Sequence, residues 1–134
     1  MDLSQLNYWA IGVAALSTFL IGGIWYSPIM FAQGWMKENS LTEDDLKGGN
    51  PAVIYGGAFV AALIMAFNLA AFLGPESDLA WGATAGALAG LGWVAMALGT
   101  IYLFERRSFK LFLINGGYQV VAFVVMGAII GAWH

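Results

Sequence analysis

Asn115, Tyr118, Gln119 and Ala122 are spaced i, i+3, i+4 and i+7, which puts three hydrogen-bonding side chains on one face of a single helix. An amide offers a donor and an acceptor side by side, and a phenol does both through one oxygen. None of these groups is charged near neutral pH. Such a face can hold a small polar solute, or it can bond one helix to another. Asn68 and Thr18 lie in other apolar stretches and are the further residues expected to join a cavity of this kind, with Ser17 beside Thr18. Interhelical hydrogen bonding alone accounts for all of them, at about 0.6 kcal/mol each on average. The sharper alternative is a small polar cavity opening toward one membrane face and lined by the stripe Asn115, Tyr118 and Gln119.

Other chemistry is thin. The only histidine is His134, the last residue, and there is no cysteine. HExxH, Ser-His-Asp and thiolate metal sites are therefore excluded, and no glycine-rich loop carries the Lys-Ser/Thr of a phosphate cradle. Glu43, Asp44 and Asp45 lack the alternating spacing and the glycine of a calcium loop. They read as the acidic first turn of a short solvated helix. The expectation is a protein that is not an enzyme, with no catalytic residue, metal site or cofactor. The net charge of -3 and the absence of a basic patch argue against a nucleic-acid partner.

The elements that position these residues follow from composition. Of 134 residues, 60% are hydrophobic and 10% charged, against about 25% charged in a soluble domain. Lipid as the solvent explains the deficit. Four apolar stretches, at about residues 8–26, 52–73, 79–104 and 111–133, are long enough to cross a bilayer core of about 30 Å. The expected fold is all-α: one integral membrane domain over residues 1–134, with four transmembrane helices and a short interfacial helix over 29–36 after the first. The opening residues lack a positive region and a small-residue cleavage site, so the first stretch reads as a retained helix. Ser40 followed by Glu43 predicts a capping box opening a helix over 41–47, which Gly48 and Gly49 stop. Asn50 and Pro51 read as cap and first position of span two, and Gly74 and Pro75 end it. The short turns after spans two and three make 2–3 and 3–4 antiparallel neighbours.

Lys37, Lys47, Arg106, Arg107 and Lys110 all fall on the side reached after span one, and the opposite side has no Lys or Arg. Lys and Arg mark the cytoplasmic face. Both termini are therefore expected on the non-cytoplasmic side of the cell membrane.

Helices in lipid associate through close packing, which favours small residues at contacts. Gly82, Gly86 and Gly90 on span three and Gly127 and Gly131 on span four are spaced for this. They are expected to close the bundle within one chain, with contacts between chains in a homo-oligomer left open. Trp93 is near the middle of span three, where lipid cannot satisfy its N–H, so it is expected to face protein, with Thr18 as a candidate partner. Residues 54–60 faintly repeat in 114–120, which would relate two hairpins by a two-fold axis along the membrane normal. At the end of span one, Trp25-Tyr26-Ser27-Pro28 must break the helix, because Pro28 lacks an N–H. Ser27 is placed to serve a freed carbonyl, and Trp25 and Tyr26 to hold the turn at headgroup depth. The competing reading has this motif line a cytoplasmic mouth and touch a ligand.

The run Gly23-Ile-Trp25-Tyr26-Ser27-Pro28-Ile-Met-Phe31 followed by Trp35, the Asn7-to-Ala10 opening and the Leu41-to-Leu46 loop together resemble a small multi-span membrane family catalogued as domain of unknown function 1761. The resemblance covers nearly the whole chain and implies a small integral membrane protein. It brings no established activity and no site residues. Two classes of function stay open beside a less favoured membrane enzyme. One is a structural or accessory protein of the bilayer acting through helix contacts. The other is an oligomeric channel or small-solute transporter whose ligand the sequence leaves unknown. A cavity touching Gln119 favours the second, and a dry core the first.

Overall fold

The computed structural model describes residues 3–133, so His134 lies outside the described residues. Each long helix opens on a short polar side chain that takes up an orphan amide of the first turn. Asn7 accepts from the Ala10 N–H and opens span one, Tyr8–Trp25. Asn50 accepts from Ala52, with Pro51 in the first turn, and opens span two, Pro51–Leu73. Asp78 accepts from Trp81 and opens span three, Leu79–Glu105. Ser108 accepts from Leu111 and opens span four, Phe109–Ala132. All four are long and apolar enough to cross a membrane. The protein is an all-α, multi-pass integral membrane protein.

Two short helices link spans one and two, and both depart from the sequence expectation. The first covers Ala32–Glu38 rather than 29–36, because residues 27–31 are occupied by a turn. There the Met30 N–H donates to the Ser27 carbonyl and the Phe31 N–H to the Trp25 carbonyl, each at 3.0 Å. The second covers only Glu43–Leu46, and its capping box joins Thr42 and Asp45, not Ser40 and Glu43. Ser40 is taken up in ending the preceding helix: it adopts φ 56°, while the Leu41 N–H reaches back to the Met36 carbonyl at 2.9 Å. Thr42 has the extended backbone a cap needs. Its main-chain N–H, and then its hydroxyl, hold the Asp45 carboxyl below the usual carboxylate range. Whatever this cap adds is present above the ordinary range and lost as pH falls through the depressed value.

Span four is the centre of the bundle. Span three packs closely on it over residues 79–95 and only sparsely over Met96–Glu105, span one packs on its other side, and span two leans on span one. Glycine decides the first contact. A Cβ on Gly82 would fall on the Gly127 carbonyl oxygen, one on Gly86 on that of Phe123, and one on Gly131 on that of Asp78. At Gly90 it would lie 3.0 Å from Phe123 Cβ. The two backbones touch, as small residues permit in lipid. Between spans one and two the filler is alanine: Ala10, Ala14, Ala15, Ala62, Ala66 and Ala70 are all buried, with Met126 of span four beside them.

Spans two and three, expected as neighbours, hardly touch. A cleft of about 500 Å³ separates them, walled by Phe72, Trp81, Leu88 and Trp93 with Phe123 at its floor. The ring closed by spans 1–2, 3–4 and 4–1 is open at 2–3, so the contacts are not two-fold related. The faint repeat is unequal in the same way: Gly117 abuts Trp25, whereas Gly56 and Gly57 face open space.

Span three also has a π-helical stretch, Gly90–Ala95. Its wider i→i+5 turn advances fewer degrees per residue than an α-turn, and so carries Trp93 off the face that the glycines present to span four. Trp93 is 65% exposed and meets Phe72 at 5.8 Å. The expectation of a protein-facing indole bonded to Thr18 is thus corrected. The Thr18 hydroxyl instead donates to the Ala15 carbonyl of its own helix.

Candidate functional site

Toward the basic end of the bundle, five segments surround a vestibule of about 430 Å³. Span four contributes Asn115, Tyr118 and Gln119 from its polar face, and span three contributes Tyr102. Tyr26 comes from the break after span one, Trp35 from the first short helix, and Leu46 from the second. The polar face ends at Ala122, which is fully buried.

The break places Tyr26. The Ser27 hydroxyl donates to the Ile24 carbonyl at 2.7 Å and the Phe31 N–H closes onto the Trp25 carbonyl, so the carbonyls freed at Pro28 are served locally. Trp25 and Tyr26 then point into the bundle rather than out to a headgroup belt. The Trp25 indole donates to the Ile114 carbonyl at 2.8 Å, and the Tyr26 hydroxyl donates to Asn115 Oδ1 at 2.6 Å. Trp35 is placed by Gly34, which lets the short helix settle on Ile114 and Lys110 of span four. Asn39 finishes that helix on the Trp35 carbonyl and accepts from Arg107, tying the helix to the turn between spans three and four.

Asn115 is the junction. It accepts from Tyr26 and donates to the Tyr102 hydroxyl at 2.7 Å, so one amide joins the segment after span one to spans three and four. The Tyr118 hydroxyl donates to the Thr18 carbonyl at 3.0 Å. Thr18 therefore meets the site through its main chain, not its side chain. Gln119 is the one amide lining the vestibule without a hydrogen-bond partner within the described residues, and the Trp35 indole N–H beside it has none either. Asn68, expected here, belongs elsewhere: it lines the cleft between spans two and three and donates to the Ile64 carbonyl of its own helix.

Tyr102 and Trp35 escaped sequence reasoning. Tyr102 left a readable signal, since 102 and 115 lie equally far from the turn at 108–109, and antiparallel helices bring such residues level. Trp35 left none, because its place depends on the fold of the intervening turn. Among the described residues no three His, Asp or Glu side chains gather as metal ligands do.

The site and fold define a class: a four-helix membrane bundle with a neutral vestibule of tyrosine and amide groups at its basic end. The chain belongs to the family described as protein of unknown function (DUF1761), whose model matches residues 9–131 and so takes in every vestibule residue. No curated protein matches the chain, and no solved structure does.

Proposed function

We propose that the protein binds a small polar solute in the vestibule. The observation that carries this is Gln119: an amide at membrane depth, left without a partner in a cavity whose other amide and whose three tyrosine hydroxyls are bonded. An unserved amide costs free energy in lipid, and a bound solute removes that cost. The solute is held, not converted, since the lining has no carboxylate, imidazole or thiol. It is not threaded through an open pore either, because Ala14, Ala15, Ala66 and Met126 fill the core between the helices. Transport would require the helices to move.

Thermal stability in detergent, followed across neutral, cationic and anionic solutes, tests the reading. A solute at 100 times its Kd stabilises by about 2.7 kcal/mol. The expected result is a raised Tm for the parent and none for Gln119→Leu. No shift from any solute at millimolar concentration overturns the reading.

The basic end is taken as cytoplasmic, in the plasma membrane, with both termini outside. The native chain has no cysteine, so single replacements report cleanly. Glu76→Cys is expected to react with an impermeant thiol reagent on intact cells and Asp44→Cys is not; the reverse pattern refutes the orientation.

An accessory role through helix contacts is the second reading, favoured by Trp93. Its indole N–H has no partner among the described residues and borders the open cleft. A second copy seated there predicts a dimer by light scattering in detergent, reduced to monomer by Trp93→Ala. A monomeric parent removes this reading.

A further inference from the structure

We propose, building on the vestibule reading above, that the solute is a neutral flat heterocycle carrying a hydrogen-bond acceptor and donor on adjacent atoms, the edge found in lactams and nucleobases.

Charge comes first. No ionised side chain lines the vestibule. The charges that flank lining residues along the chain are of both signs: Lys37 follows Met36, and Glu43, Asp44 and Asp45 precede Leu46. A strongly hydrated ion would leave water for a site with no counter-charge, which is costly. A neutral solute meets no such penalty.

The hydrogen-bond inventory then narrows the shape. Asn115 has spent its carbonyl on Tyr26 and one N–H on Tyr102. The Tyr102 oxygen accepts that bond, which leaves its own O–H to donate. Gln119 has both halves of its amide free. A primary amide presents N–H and C=O about as far apart as the C=O and N–H of a lactam edge, so two parallel bonds form at once. The Tyr102 hydroxyl and the Trp35 indole N–H are further donors for acceptors elsewhere on the ring.

Aromatic walls favour a flat solute. Tyr26 meets Trp35 at 5.9 Å and 71° and Tyr118 at 5.4 Å and 61°. Rings that meet at steep angles make corners rather than stacks, and leave faces on which a planar ring can lie. Base-on-aromatic stacking is worth about 1–3 kcal/mol. The volume of about 430 Å³ is within the range of small-molecule pockets, about 300–1,000 Å³.

The same rings could hold a quaternary ammonium ion through their faces alone, and that ligand would have no use for Gln119. Equilibrium dialysis of the purified protein in detergent against radiolabelled adenine, uracil, tetramethylammonium and benzoate separates the cases. Saturable binding of adenine or uracil is expected, with affinity falling about tenfold or more in Gln119→Leu, the loss of about 1.4 kcal/mol. Tyr102→Phe, which removes one O–H, should weaken it by a smaller factor. An unchanged gel-filtration profile for each variant ties the loss to the site. Binding of tetramethylammonium or benzoate alone, or base binding indifferent to Gln119→Leu, overturns the heterocycle assignment. If none of the four probes binds while other solutes raise the Tm in a Gln119-dependent way, the assignment fails and the vestibule reading stands. If no solute does either, both fail.

Discussion

Gly86→Leu is expected to destabilise the bundle by about 1–3 kcal/mol or more, the range for overpacking a close contact. A Cβ at Gly86 already falls on the Phe123 carbonyl oxygen, and backbone atoms cannot rotate aside as a side chain can. Spans three and four must therefore separate, and every contact along that seam loosens with them. Gly82→Leu should do the same against Gly127, where the clash is also with main chain. Gly92 is the control. It lies on the same span, and a Cβ there meets nothing within 4 Å, so Gly92→Leu should leave the melting temperature unchanged. Unfolding in detergent, followed by helical circular dichroism, measures all three. Equal melting temperatures for Gly86→Leu and Gly92→Leu would show that the seam does not hold the bundle together.

Asn115→Leu is expected to cost about 1–2 kcal/mol. It removes two hydrogen bonds, each worth about 0.6 kcal/mol in membrane proteins on average, and leaves the Tyr26 hydroxyl and the Tyr102 oxygen without their amide. The loss should be regional: faster hydrogen exchange around Tyr26 and the short helix after it, with the glycine seam at Gly82 and Gly86 still protected. Asn68→Leu provides the contrast. Asn68 bonds only the Ile64 carbonyl, which remains in its helical ladder, so its loss should be within a few tenths of a kcal/mol of neutral. If the two substitutions cost the same, Asn115 is not a junction.

Those two amides also show how far the sequence could be read. The extent of each span was legible because apolar runs are local; of the caps that open them, Asn50 was read together with Pro51, while Asn7, Asp78 and Ser108 emerged only with the structure. The glycine spacing on spans three and four was legible because only a narrow groove has use for it. Azimuth was not. In water the hydrophobic face fixes which way a helix turns. In lipid the outside is as apolar as the inside, so Asn68 and Trp93 carried no sign of facing the cleft. The π turn behind the position of Trp93 has no residue signature of its own. The capping box was misplaced because Ser40/Glu43 and Thr42/Asp45 fit one pattern two residues apart, and the end of the preceding helix chose between them. Of the vestibule, the face on span four was visible from its spacing. Trp35 and Tyr102 came from elsewhere in the chain, and only the folded turns bring them level with Asn115.

The π stretch at Gly90–Ala95 makes span three two rods joined by a swivel. The first rod is clamped to span four backbone to backbone through Gly82 and Gly86. The second carries Tyr102 to the vestibule. A return of those 6 residues to α-helical bonding would rewind the second rod by the turn that the bulge withholds and take the Tyr102 hydroxyl away from Asn115. The clamp would not have to slip. A change of hydrogen-bond partners at the level of Trp93 would thus alter the vestibule wall from within one span.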